Sequence, residues 1–275
     1  MSLVKRVLLS LTFIIVASWS GIVLLAYFFQ SHLIYFPEKV LVFEPGDIGL
    51  DFEEVWLETG DKLTIHGWYV PHAVPRATVL FLHGNAGNIS HWLDTLRFLH
   101  DLGLAALIID YRGYGNSEGR PTEEGTYLDA DAAWTYLTET RGVPAGEIIV
   151  MGRSLGAAVA ISLAEQNPPG LLVVESAFTS IAELAGRLYP ILPVRWISRI
   201  HYPSIDRIPN VRCPVLIVHS PDDEIIPFEF GEALFDRARA PKQFLRIHGD
   251  HNNGFMLSED SYRRGLDEFI TTMTP

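Results

Sequence analysis

The stretch that decides the fold is Ile148-Ile149-Val150-Met151-Gly152-Arg153-Ser154-Leu155-Gly156-Ala157-Ala158-Val159-Ala160-Ile161. Its first four residues form a short, uninterrupted apolar run, the pattern of a strand buried on both faces. Its last five are small and apolar and suit a helix. Between them stands G-x-S-x-G, which in this position reads as a sharp strand-to-helix turn. Such a turn holds a serine exposed, its glycines let strand and helix approach, and the helix N-terminus favours developing negative charge. The pentapeptide alone is a weak signal, and its placement between strand and helix gives it meaning.

Working outward, further compact apolar runs occur at residues 77–82, 104–109, 171–174 and 215–218, with a last strand near 244–247. Helix-like stretches follow at 91–102, 122–141, 154–166, 228–238 and 258–272. Residues 52–57 and 63–70 flank Thr59-Gly60-Asp61 and read as an antiparallel hairpin. The alternation predicts an α/β fold: a mostly parallel sheet of eight strands with helices on both faces. In such sheets the chemistry gathers at the carboxyl ends of the strands.

A serine hydroxyl is a poor nucleophile until a base and an orienting acid activate it. The run at 215–218 ends in His219-Ser220-Pro221-Asp222-Asp223-Glu224, so Asp223, and second Asp222, are the candidate acids. The last strand ends in His248-Gly249-Asp250-His251-Asn252-Asn253-Gly254, where His251 is the candidate base and His248, nearer the strand, is expected to be packed. Ser154, Asp223 and His251 then follow one another in the chain order of the open-sheet hydrolases. Acyl transfer also needs donors for an oxyanion. His83-Gly84-Asn85-Ala86-Gly87-Asn88 follows the strand at 77–82, and the N–H groups of Asn85, or of Ala86, and of Leu155 are the candidates.

Composition bounds the rest. The chain has 275 residues, 48% hydrophobic and 20% charged, which excludes disorder. Twenty-one basic against 33 acidic side chains give a net charge of −12, so a nucleic-acid partner is not expected. Cys213 is the only cysteine, which excludes an intrachain disulfide and a multi-cysteine metal site. No histidine cluster has a recognised metal spacing, and neither metal nor cofactor is implied. Residues 7–29 carry no formal charge and span roughly 35 Å as a helix, enough to cross a bilayer. Lys5 and Arg6 precede this segment and the first acidic residue is Glu38. The reading is an uncleaved signal-anchor over residues 1–30. Its N-terminus is cytoplasmic, and the domain of residues 31–275 lies on the non-cytoplasmic side, the periplasmic side of the inner membrane in a bacterium. A cleaved signal peptide ending near Ser18 and Ser20 is the alternative, but the apolar run continues past them.

Several stretches together resemble the α/β-hydrolase superfamily. They are His83 to Asn88, Asp110-Tyr111-Arg112-Gly113-Tyr114-Gly115-Asn116-Ser117-Glu118-Gly119, Gly152 to Gly156, Glu175-Ser176-Ala177-Phe178-Thr179-Ser180 and Asp250-His251-Asn252. Within it they look like the membrane-anchored Bem46 group and related peptidase S33-like serine hydrolases, as does Leu33-Ile34-Tyr35-Phe36-Pro37. The resemblance implies Asp223 as the acid, since it stands at the Asp of an Asp-x-x-Val-Pro pattern, here Asp223-Glu224-Ile225-Ile226-Pro227. Ser220 departs from the glycine of many members, at no triad position.

Residues 176–213 are 38 residues between two strands and are expected to be a small helical cap. Phe178, Tyr189 and Trp196 are its candidate substrate contacts, unless those side chains pack the cap onto the sheet. Glu175 is expected to hold the cap loop, or else to bind a substrate amine. The expected function is a serine hydrolase cleaving esters or thioesters of a hydrophobic acyl substrate, small or carried on an acylated partner. A peptidase and a non-catalytic membrane-tethered scaffold are the alternatives.

Overall fold

The computed structural model describes residues 2–273. It opens with α1 (Leu3–Phe28) and α2 (Gln30–Ile34), followed by β1 (Phe36–Pro37), β2 (Glu53–Glu58), β3 (Thr64–Val70), β4 (Thr78–Leu82) and β5 (Ala86–Gly87). Next come α3 (Leu93–Asp101), β6 (Ala105–Ile109), α4 (Glu123–Thr135), β7 (Ile148–Arg153), α5 (Leu155–Gln166) and β8 (Leu171–Glu175). The short helices α6 (Ile181–Leu188), α7 (Val194–Ile197) and α8 (Ser204–Arg207) lead to β9 (Val215–His219). The chain ends with α9 (Phe228–Arg237), β10 (Lys242–Arg246), α10 (Gly254–Leu257) and α11 (Glu259–Met273).

Among the described residues the main sheet has eight strands in the order β10-β9-β8-β7-β4-β6-β3-β2. Every neighbour pair is parallel except those of β3, which runs against both β2 and β6. The hairpin expected around Thr59-Gly60-Asp61 is the β2–β3 pair. Strands buried on both faces need apolar side chains on both, and β7 shows it. Ile148 and Val150 join one core with Ala130, Ala157 and Leu234 of the helices on that face, while Ile149 and Met151 join the other with Leu96, Leu266 and Phe269.

Helix starts follow local chemistry. Thr122 caps α4 by accepting the Gly125 N–H at 3.0 Å, with Glu123 and Glu124 in its positive first turn. The helix expected over 122–141 stops as an α-helix at Thr135 and finishes in a wider turn over Tyr136–Thr140. The last strand begins at Lys242, two residues before the expected 244. A two-residue parallel pair, β1 with β5, ties the segment after α2 to the loop behind β4. It is too short to show any periodicity in sequence. α1 has no buried residue, so most of its apolar surface faces outward, with Gly21, Val23 and Ala26 partly covered near its end.

Candidate active site

Ser154 stands between β7 and α5 with φ 55° and ψ −119°. This left-handed region costs a non-glycine residue roughly 1–3 kcal/mol, and it persists where the surroundings over-determine it. They do so here. The Ser154 N–H donates to the Glu175 carbonyl on β8 at 2.9 Å, and only hydrogens fit on the flanking glycines. A Cβ on Gly156 would collide with the Leu82 carbonyl of β4, and one on Gly152 with the Gly156 carbonyl. The strand–helix contact is therefore backbone against backbone, and it aims the serine out of the sheet.

His251, in the loop after β10, places Nε2 3.1 Å from Ser154 Oγ and Nδ1 2.8 Å from Asp223 Oδ2. The other oxygen of Asp223 accepts the N–H groups of Ile225 at 3.0 Å and Ile226 at 2.7 Å, which fixes the carboxylate's orientation. Burial opposes its ionisation, but His219, His251 and the Ile226 N–H outweigh burial and hold the carboxyl well below the usual range. His219 was not expected at the site. Its Nε2 lies 3.5 Å from Asp223 and donates to the Ile226 carbonyl at 2.9 Å, bracing the loop that carries the acid. Asp222 is exposed and accepts the Gly249 N–H at 3.4 Å, so it steadies the histidine loop from outside. His248, expected to be packed, is instead 79% exposed, because β10 ends at Arg246 and the loop has already turned outward.

Asn85 and Leu155 both face the same cavity as Ser154. Leu155 opens α5, where a first-turn N–H has no acceptor within the helix. The Asn85 peptide is clamped: its carbonyl accepts the Phe36 N–H at 2.9 Å and the Tyr114 hydroxyl at 2.7 Å, and its side chain donates to the Ile34 carbonyl at 2.8 Å. Its own N–H takes part in none of these bonds. Tyr114 comes from the Asp110-to-Gly119 stretch, whose Asp110 also accepts the Ile89 N–H at 3.0 Å. That stretch therefore supports the loop beneath the cavity.

Sequence reasoning missed Arg153, the residue before the serine. It donates to the His251 and Asn252 carbonyls at 2.7 and 2.9 Å and pairs with Glu175 at 3.2 Å. Tyr262 of α11 donates to the same Glu175 at 2.8 Å, and the guanidinium lies 5.3 Å from the Trp92 ring centre. Glu175 thus holds neither the cap loop nor an open site for an amine: it is 2% exposed and anchors the arginine that carries the histidine loop. Arg153 and Glu175 are register partners in β7 and β8. Two opposite charges closing adjacent apolar strands were the available signal.

The cavity holds about 660 Å³ and is lined largely by apolar side chains. Phe178, Ile181, Leu184, Tyr189 and Val194 form its cap side, and Ala26 and Leu33 belong to α1 and α2. Phe178 is buried, and Tyr189 is half-exposed at the rim. Trp196, expected among the substrate contacts, does not line the cavity and is 90% exposed. On the single turn of α7, Val194 and Ile197 face the cavity and Trp196 points away. Burial pushes the Cys213 thiol up to about 12, so it offers no thiolate near neutral pH.

Comparison with known proteins supplies the family. Residues 73–206 match the family described as serine aminopeptidase, S33. The chain is 40% identical over 256 residues to an uncharacterized protein of Mycobacterium tuberculosis, covering 90% of this chain and 91% of the relative. It is 34% identical to the alpha/beta hydrolase domain-containing protein WAV2 of Arabidopsis thaliana, over 80% and 79% of the two chains. With protein bem46 of Schizosaccharomyces pombe it shares 33% identity over 89% and 86%. Among solved structures, the Pyrococcus furiosus esterase Pf2001 superposes with a TM-score of 0.74 at 21% identity, over 87% of this chain and all of that one, and shares its fold. Sheet order, elbow and relatives agree: this chain is an α/β hydrolase of the Bem46 group.

Proposed function

We propose that this hydrolase cleaves carboxylic ester or thioester bonds of a hydrophobic acyl substrate through an acyl-enzyme. One observation carries the reading: the Ser154–His251–Asp223 chain of hydrogen bonds, at 3.1 and 2.8 Å, opens onto a largely apolar cavity of about 660 Å³. Ser154 Oγ attacks the acyl carbon while His251 Nε2 takes its proton. Asp223 holds the imidazole by its Nδ1–H and balances the imidazolium, and the Asn85 and Leu155 N–H groups receive the oxyanion. The leaving alcohol or thiol takes the proton back from His251. Water, deprotonated by the same histidine, then attacks the acyl-serine and releases the acid.

A peptidase reading draws on the description of the matched family, and an aminopeptidase needs a carboxylate for the substrate's amine. Glu175 is occupied by Arg153 and Tyr262, and among the described residues Asp94 is the only acidic side chain on the cavity wall. The apolar wall favours acyl esters. In this reading α1 is a retained membrane anchor with a cytoplasmic N-terminus, which reporters fused at the two ends of the chain test. For the chemistry, the full chain and its Ser154→Ala variant are assayed on acyl esters of increasing length, acyl thioesters and aminoacyl amides. The expected result is turnover of medium and long acyl chains that vanishes in the variant. Turnover of the amides alone would support the peptidase, and turnover of none would support the scaffold.

A further inference from the structure

The cap and α1 meet where a soluble lid would have no reason to go. The Trp19 indole N–H donates to the Ile191 carbonyl at 3.1 Å, and Trp19 lies nine residues before the end of α1 at Phe28. At 1.5 Å per residue the cap's 189–193 turn sits about 13 Å along the helix from its exit end, within the roughly 15 Å half-thickness of a hydrocarbon core. A second clasp lies at the exit. Gln30 donates to the Ile197 carbonyl at 2.7 Å and accepts the Arg199 N–H at 2.7 Å. At the end of the cap beside α1, Leu188, Tyr189, Ile191 and Trp196 are exposed at 50%, 51%, 74% and 90%.

Charge points the same way. The chain carries −12 overall, yet residues 184–205 contain no acidic side chain and three arginines: Arg195, Arg199, which lies over the Tyr27 ring of α1 at 5.5 Å, and Arg187, which pairs with Glu229 at 3.8 Å. Arginines flanking exposed aliphatic and aromatic side chains match the boundary between headgroups and acyl chains, where long cationic side chains lay their stems along the hydrocarbon. The cavity reaches that boundary as well, since Ala26 from the last turn of α1 and Leu33 from α2 share its wall with Leu188 and Tyr189 of the cap.

We propose that the tip of the cap, residues 188–197, is inserted into the outer leaflet of the membrane that α1 crosses, and that the cavity takes the acyl chain of a membrane-resident lipid ester directly from that leaflet. The second half rests on the serine-hydrolase reading above, and the first does not. Ile191 and Trp196 are the residues to change, because both are exposed and neither lines the cavity.

The test uses the full chain reconstituted in phosphatidylcholine vesicles doped with phosphatidylglycerol. A nitroxide on Trp196→Cys, read by accessibility to oxygen and to an aqueous nickel chelate, reports depth. The label is expected in the hydrocarbon layer, and a label as nickel-accessible as one on exposed Arg120→Cys would overturn the insertion. The double variant Ile191→Glu, Trp196→Glu is then assayed on a long-chain diacylglycerol dissolved in the vesicles and on a water-soluble short-chain ester. Vesicle turnover is expected to fall at least about tenfold, with the soluble ester unchanged. Equal loss on both, or loss on neither, would overturn the lipid route. If the wild type hydrolyses neither substrate, the serine reading fails and the lipid route with it, while the depth of the label still decides the insertion.

Discussion

Ser154, Asp223 and His251 stand at or just beyond the ends of β7, β9 and β10, whereas the roof of their cavity stands on helices of eight and four residues between β8 and β9. The floor is set by ladder hydrogen bonds and by side chains in two buried cores, so each strand fixes where the next loop begins. The roof has only a few buried side chains, among them Phe178, Ile181 and Val194, and its outer surface leans on α1 through Trp19 and Gln30. The three side chains are thus held by the sheet while the wall of their cavity is shared with α1, so mutations in the two parts should read out differently.

That difference can be broken most severely on the floor. Ser154→Ala should lower kcat by about a millionfold while leaving the melting curve unchanged or slightly improved, since it relieves nothing but a polar contact. Asp223→Asn should lower kcat by about 10⁴ by loosening the histidine's tautomer and orientation. It should also change acid stability in a defined direction. The carboxyl is held below its unfolded value, near 4, so its stabilising contribution is complete above about pH 5 and is lost as pH falls through that range toward the folded value. Urea titrations should therefore show a wild-type advantage over Asp223→Asn that is constant from neutral pH to about pH 5 and shrinks below it. An advantage that grows on acidification would contradict the assignment.

Smaller effects sharpen the boundary between floor and roof. Arg153→Lys keeps the charge but loses the fork that reaches both the histidine loop and Glu175, and kcat should fall about ten- to a hundredfold with KM nearly unchanged. Phe178→Ala empties a buried position and should cost about 3 kcal/mol of stability by calorimetry or denaturant titration. Tyr189→Ala, at the exposed rim, should cost under about 0.5 kcal/mol and raise KM only for long acyl chains. A long-chain KM effect from Arg153→Lys, or a kcat effect from Tyr189→Ala, would blur the division.

The floor was legible in the sequence because strands buried on both faces leave unbroken apolar runs, and because the loops after them carry little besides chemistry. Ser154, Asp223 and His251 are legible as candidates that way, and the structure brings the three side chains together. Contacts that join elements by backbone, or through a side chain with no periodic neighbour, are not legible. Arg153 was hidden inside the elbow as an unspecified position, and Tyr262 sits among the apolar positions of α11 with nothing to mark its reach to Glu175. The two-residue β1–β5 pair and the outward turn of His248 depend on where the chain goes next. Trp196 read as a substrate contact because it is large and apolar. One turn of helix decides which way such a residue points, and so short a segment carries no period.

The central claim is that one hydroxyl is made nucleophilic by the arrangement around it, and peptide mapping after reaction with a fluorophosphonate measures this directly. A single phosphonyl adduct is expected, on the peptide carrying Ser154, formed by the wild type and abolished in Ser154→Ala and His251→Ala. An adduct on a different residue, or undiminished labelling after either substitution, would contradict it.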